Sequence, residues 1–230
     1  MIRRITPCMA ILPPAQTRLW PELRPVTNLG FTLYGGTAIA LRLGHRPSIN
    51  FDFFSEKLLD REKLNAALPF LKRSTVLQET PNTLSILVPF ESGEDTRVRI
   101  SFFGGIGFGR VGEPDMTEDG VLSIASCDDL LATKVKVILQ RVEAKDYRDI
   151  AAMIRAGVRL DRGLAAAQAL YGATFQPSES LKALVYFEGG DLHTLSQEDK
   201  HGLVETVRAI RGLPRVPVLA RELGFPAHPS

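Results

Sequence analysis

LYGGTAIALRLGHRPSINFDFF, residues 33–54, runs from an apolar strand end through a double glycine into a short helix, then through a turn into a second strand. The pair Gly35-Gly36 lets the backbone turn sharply and approach a bound group closely. Thr37 to Leu43 reads as a compact helix, with Gly44 where its C-terminal cap belongs. SINFDFF interleaves polar residues with aromatics, the pattern of a strand with one buried face. In such a strand Asn50 and Asp52 share a face, opposite to Phe51 and Phe53. A glycine turn opening a helix aims backbone amides at an anion, and oxygen donors on the neighbouring strand suit a hard cation.

Working outward, Leu58 to Leu71 reads as a helix with Leu58, Leu64, Leu68 and Leu71 on one face. STVLQET (74–80), TLSILVPF (83–90) and TRVRISFF (96–103) read as three strands joined by Pro, Asn and Gly turns. Near residue 125 the pattern becomes helical. Ser126 is a good N-cap, and Asp128 and Asp129 fall in the first turn, where the helix dipole favours acids. Leu131, Val135, Ile138 and Leu139 line one side of that helix, and a second opens near Lys145 and buries Tyr147, Ile150 and Ile154. Further helices fit 163–171, 178–187 and 196–211. The expected fold class is α+β: a mixed sheet with flanking helices over 1–125, followed by a helical region over 126–230, with a soft boundary near 115–125.

The chain has 230 residues, enough for a sizeable core without disulfides or structural metal. Its 44% hydrophobic and 23% charged residues are those of a soluble globular protein. No apolar run reaches the ~20 residues of a membrane span. The start, MIRRITPCMAILPPAQ, has a short apolar part broken by prolines and is not read as a signal peptide. Cys8 and Cys127 lie far apart, which suits the cytoplasm and excludes a cysteine-based zinc site. A net charge of +2 confines any nucleic-acid surface to a local patch.

The stretch GGTAIALRLGHRPSINFDFF resembles the AbiEii/AbiGii-type nucleotidyltransferase toxins, within the DNA polymerase beta-like nucleotidyltransferase superfamily. The family pattern is Gly-Gly-Thr, a short helix, then Arg-x-Ser-x-Asp-x-Asp, which here falls on Gly35, Gly36, Thr37, Arg46, Ser48, Asn50 and Asp52. A second stretch, DDLLATKVKVILQRVEAKDYRDI, resembles the family's helix with a lysine followed by Lys/Arg-Asp-x-x-Asp, and places Lys134, Arg141, Asp146 and Asp149. The resemblance implies a nucleotidyltransferase-like sheet and transfer of a nucleoside monophosphate from a nucleoside triphosphate to a hydroxyl. The acceptor it implies is RNA, a tRNA end among the candidates, or protein, and it implies a cognate antitoxin; no membrane is expected, since the chain lacks a long apolar run. It further implies that Gly35, Gly36, Thr37, Arg46, Ser48 and Arg141 hold the nucleotide. Asp52, with Asn50, would bind Mg2+. Lys134 would neutralise phosphate charge, and Asp146 would act as a catalytic acid or base. Lys134 and Arg141 are seven residues apart on one helix, a spacing that lets both face one way.

Two positions depart from the pattern. Asn50 stands where the family has its first Asp and brings a carbonyl but no charge, which should weaken magnesium binding by ~1–3 kcal/mol. Ser101, in TRVRISFF, stands at a candidate position for the superfamily's third carboxylate. These motivate a rival reading: a catalytically degenerate nucleotidyltransferase fold kept as a binding or regulatory module. GFGRVG (107–112) has dinucleotide-binding spacing, but Glu113-Pro114 follows it instead of a helix, so it reads as a loop. The four histidines show no metal-ligand spacing. Phe102, Phe103 and Phe108 could stack on a base, although core packing is their ordinary use.

Overall fold

In the computed structural model, which describes residues 2–90 and 97–225, NFDFF is an inner strand of a mixed sheet. The strands are β1 (Arg4–Ile5), β2 (Thr32–Tyr34), β3 (Asn50–Phe54), β4 (Thr75–Thr80), β5 (Thr83–Pro89), β6 (Arg97–Phe103), β7 (Asp115–Thr117) and β8 (Ser123–Ile124). They form one sheet in the order β1-β7-β8-β2-β3-β6-β5-β4. β3 runs antiparallel to β2 and parallel to β6. Thr96, the first residue expected in the β6 strand, lies outside the described residues. The fold is α+β, as the sequence leads one to expect.

The alternation in β3 sorts its side chains. Phe51 and Phe53 are fully buried, while Asn50, Asp52 and Phe54 are half-buried. On the buried face Phe53 stacks on Phe102 at 5.5 Å, and Trp20 lies 6.4 Å from Phe51. Each such ring withdrawn from water contributes about 1.5–3 kcal/mol. Trp20 follows the helix α1 (Pro14–Leu19) and precedes α2 (Arg24–Asn28), and its indole N–H donates to Asp119 at 2.7 Å. The helix after the double glycine, α3 (Gly35–Leu43), ends at Gly44 as expected, where φ is 66° and the amide bonds to the Ala40 carbonyl.

The helix expected over 58–71 is shorter. It is α4 (Arg61–Ala67), capped by Asp60 and followed by a 3-10 turn over Pro69–Arg73. Leu68 leaves the helical region because the ring of Pro69 excludes that conformation from the residue before it. Leu64, Leu68 and Phe70 are buried, while Leu58 is exposed.

The chain divides into two compact units. The first comprises the described residues up to Gly109, Glu113–Ala125 and those from Ala220 onward; the second comprises Arg110–Gly112 and Ser126–Leu219. The second unit holds α5 (Cys127–Val137), α6 (Ala144–Arg155), α7 (Leu160–Tyr171), α8 (Pro177–Val185) and α9 (Gln197–Ala209). Ser126 caps α5 by accepting the Asp129 amide at 3.1 Å. Leu131, Val135 and Ile138 are buried in this bundle, but Leu139 lies past the end of α5 and is exposed. Among the described residues no helix is long and apolar enough to cross a membrane.

Candidate functional site

In the first unit, β2 ends at Tyr34 and the chain turns at Gly35 with φ 74°. A side chain in that conformation costs ~1–2 kcal/mol. A Cβ there would also sit 2.8 Å from Oδ2 of Asp52, so the carboxylate would have to shift to admit it. The turn and the carboxylate are therefore packed together. Tyr34 and Asp52 are also register partners across β2 and β3. The first turn of α3 carries no acidic side chain, so its amides present the positive end of the helix unopposed from within that turn.

The connection from α3 to β3 is braced from inside. The buried Thr37 and Ser48 hydroxyls lie 2.7 Å apart, and Thr37 Oγ1 also donates to the Asn50 carbonyl. Gln16, itself buried, donates to the Ile49 carbonyl at 2.8 Å. Arg46 is half-buried and donates locally to the Pro47 carbonyl at 3.0 Å. Arg42, on α3, pairs with Asp115 at 2.7 Å and donates to the Ala125 carbonyl at 2.7 Å, fixing the helix to the far strands of its unit. Gln16 and Arg42 carry no local signal of these roles in the sequence, since their partners lie 33 and 73 or more residues away.

The register of β6 gives Asp52 its neighbours. Asp52 pairs with Ser101, and Asn50 with Arg99. Ser101 is buried and accepts a hydrogen bond from Ser85 at 3.0 Å. On this face of β2, β3, β5 and β6, Asp52 is the only carboxylate among the described residues. No group of three His, Cys, Asp or Glu side chains that could hold a metal ion occurs among the described residues. Arg97 and Arg99, two residues apart on β6, are exposed on the Asp52 face. The alternation in TRVRISFF held that signal, which sequence reading passed over.

In the second unit, Lys134, Arg141, Asp146 and Asp149 do come together. Lys134 Nζ donates to Asp146 at 2.5 Å and lies 2.7 Å from Asp149. Arg141 lies past the end of α5, not on the helix that carries Lys134 as expected, and grips Asp146 with two bonds, of 2.8 and 3.1 Å. Both carboxylates are wholly buried and the lysine side chain is 5% exposed, whereas that of Arg141 is 46% exposed. Burial opposes ionisation of Asp146, but the Arg141 hydrogen bonds and the Lys134 charge outweigh it and hold the carboxyl below its ordinary value.

Asp129 behaves in the opposite way. Its buried carboxylate accepts from the amides of Val111 at 2.7 Å and Gly112 at 3.1 Å, and from the Ser126 hydroxyl at 2.5 Å. Burial still wins over these bonds and pushes its pKa up. The end of the GFGRVG loop thus gives two of its amides to the protein's own carboxylate.

The mixed sheet with flanking helices is the fold of nucleotidyltransferase-like proteins. A family model described as "Nucleotidyl transferase AbiEii toxin, Type IV TA system" matches residues 23–212, and the chain belongs to that family of nucleotidyltransferase toxins. An uncharacterized protein of Aquifex aeolicus (strain VF5) is 32% identical over 139 residues, which is 58% of this chain and 64% of that protein. The match therefore spans less than two thirds of the curated relative's length. MenT4, a nucleotidyltransferase toxin from Mycobacterium tuberculosis H37Rv, superposes with a TM-score of 0.56 at 11% identity, covering 85% of this chain and 83% of its own. An antigenic nucleotidyltransferase-like protein from Paracoccidioides brasiliensis gives 0.52 at 15% identity, covering 86% and 93%. At these identities the two structures share a fold with this chain.

Proposed function

We propose that this chain transfers a nucleoside monophosphate from a nucleoside triphosphate to a hydroxyl of RNA. The observation that carries the reading is the packing of Asp52 against the positive-φ turn at Gly35. The acceptor oxygen would form a bond to the α-phosphorus as the bond to the departing pyrophosphate breaks. Amides of the Gly35-Gly36 turn would receive the triphosphate, and Thr37 and Ser48 would fix the turn rather than reach the ligand, since their hydroxyls are already engaged inside it. RNA is favoured over protein as acceptor by Arg97 and Arg99, exposed on the Asp52 face. A cytoplasmic setting and a cognate antitoxin belong to the same proposal.

Magnesium takes oxygen ligands and is commonly held by one or two carboxylates plus the phosphates of the substrate. The Asp52 carboxylate with the side-chain amide oxygen of Asn50 would suit an ion that arrives on the triphosphate. When bound, that ion would neutralise charge developing on the phosphate oxygens. In the second unit, Asp146 and Asp149 already balance the charges of Lys134 and Arg141, so this cluster serves first as a buried ion-pair network of its own unit.

The single carboxylate, with Ser101 bonded to Ser85 beside it, also favours a second reading: a binding module without turnover. The two are separated by following label from each α-labelled nucleoside triphosphate into total cellular RNA and protein, with magnesium. Wild type and Asn50→Asp are compared against Asp52→Ala as background. Label in RNA from wild type supports the transferase, and label in protein moves the acceptor. Label only from Asn50→Asp, or from neither, leaves the binding module.

A further inference from the structure

The sheet carries two aromatic layers. On the core face Phe51, Phe53 and Phe102 are completely buried. On the Asp52 face Phe54, Phe103 and Phe108 are only half-buried. Phe54 meets Phe103 edge to face at 5.2 Å and Phe108 at 6.4 Å, while the buried Tyr34 ring stacks on Phe54 at 4.8 Å with an interplanar angle of 11°. Tyr34 is thus the floor of the cluster, and the three phenylalanines are its partly open surface.

The order of groups along β3 is informative. Successive side chains on one face of a strand are ~6.6 Å apart. Because Tyr34 pairs with Asp52 and Thr32 with Phe54, the Gly35 turn lies past Asp52 on the Asn50 side, and Phe54 lies on the other. A nucleoside triphosphate has the same order: terminal phosphates, α-phosphate, sugar, base. We propose that Phe54, Phe103 and Phe108 form the platform on which the base of the nucleoside triphosphate stacks. The inference rests on the transferase reading given above.

The platform consists of hydrocarbon rings, so it recognises a base through its face rather than its hydrogen-bonding edge. All four nucleotides bind, and the larger purine rings bind more tightly than pyrimidines. Phe54→Leu and Phe108→Leu keep apolar bulk but remove the ring. The experiment measures binding of α,β-methylene analogues of ATP, GTP, CTP and UTP, and of inorganic tripolyphosphate, all with magnesium, by calorimetry. Each Leu variant is expected to weaken the nucleotide analogues about five- to 150-fold and to leave tripolyphosphate unchanged. Phe108→Trp is expected to retain nucleotide binding. Should Phe54→Leu fail to fold, Phe108→Leu, in a loop, carries the comparison alone.

Unchanged nucleotide affinity in the Leu variants overturns the platform. So does an equal loss for tripolyphosphate, which would place the damage at the turn. Wild-type protein that binds tripolyphosphate as tightly as the nucleotides refutes the platform and leaves the transferase reading standing. Wild-type protein that binds neither removes both.

Discussion

Asp52 and Asp146 are both acids in short motifs, yet they end in opposite physical states. Asp52 is half-buried on a strand face, packed against a glycine turn, beside Asn50. Asp146 is wholly buried and held by Lys134 and two bonds from Arg141. The first arrangement keeps its residue partly exposed to solvent. The second spends its carboxylate on fixing two cations. An ion pair of the second kind is expensive to break from one side, because the surviving charges lose both water and partner.

The sharpest break of this contrast is Lys134→Met. It leaves Asp146 and Asp149 buried without their shared cation, and should cost about 3–5 kcal/mol of stability by urea denaturation. Adding Asp146→Asn and Asp149→Asn should recover part of that loss. No recovery would show that the lysine acts through packing rather than charge.

Next in size is Gly35→Ala. The positive φ costs ~1–2 kcal/mol and the contact with Asp52 adds to it, so a loss of about 2 kcal/mol or more is expected. Binding of tripolyphosphate should fall with it. A variant of wild-type stability and affinity would mean that the turn relaxes freely and is not a built cradle.

Asn50→Asp should have a smaller effect. A second carboxylate on the Asp52 face should lower the magnesium concentration for half-maximal nucleotide binding by about tenfold, or ~1.4 kcal/mol. An unchanged magnesium requirement would place the ion elsewhere.

The smallest effect separates the two buried acids of the second unit. Asp146 has a folded pKa held down by Arg141 and Lys134 against the opposing effect of burial. Its stabilisation is present above the unfolded value near 3.9 and is lost as pH falls through the lower folded value. Asp129 has a folded pKa pushed up by burial. Its contribution is fully present below about pH 3.9 and is lost as pH rises through the raised folded value. Stability measured against pH should therefore lose its decline just above pH ~3.9 in Asp129→Asn, and its acid-side fall should soften in Asp146→Asn. Identical profiles for both variants would contradict the opposed shifts.

Much of the fold was legible because its signals are local. The period-two alternation of β3, β5 and β6 and the glycine at the end of α3 depend only on near neighbours. The two-residue strands β1 and β8 are too short to show a period, and they exist because longer-range partners complete them. Asp129 shows the limit of local reading. Its place in the first turn suited the helix dipole, but its carboxylate is used on Val111 and Gly112, 18 and 17 residues back.

By itself the sequence determined which residues share a face: Asn50 with Asp52, and Phe51 with Phe53, because a strand alternates whatever lies beside it. It also determined that the chain must turn at Gly35-Gly36. Only the tertiary structure decided that Ser101 and Arg99 lie next to Asp52 and Asn50, since parallel register is fixed by packing across almost fifty residues of chain. Only it decided that Lys134 is enclosed by two carboxylates while Arg141 stays half exposed. Burial and charge pairing belong to the elements packed around a residue, and no local spacing encodes them.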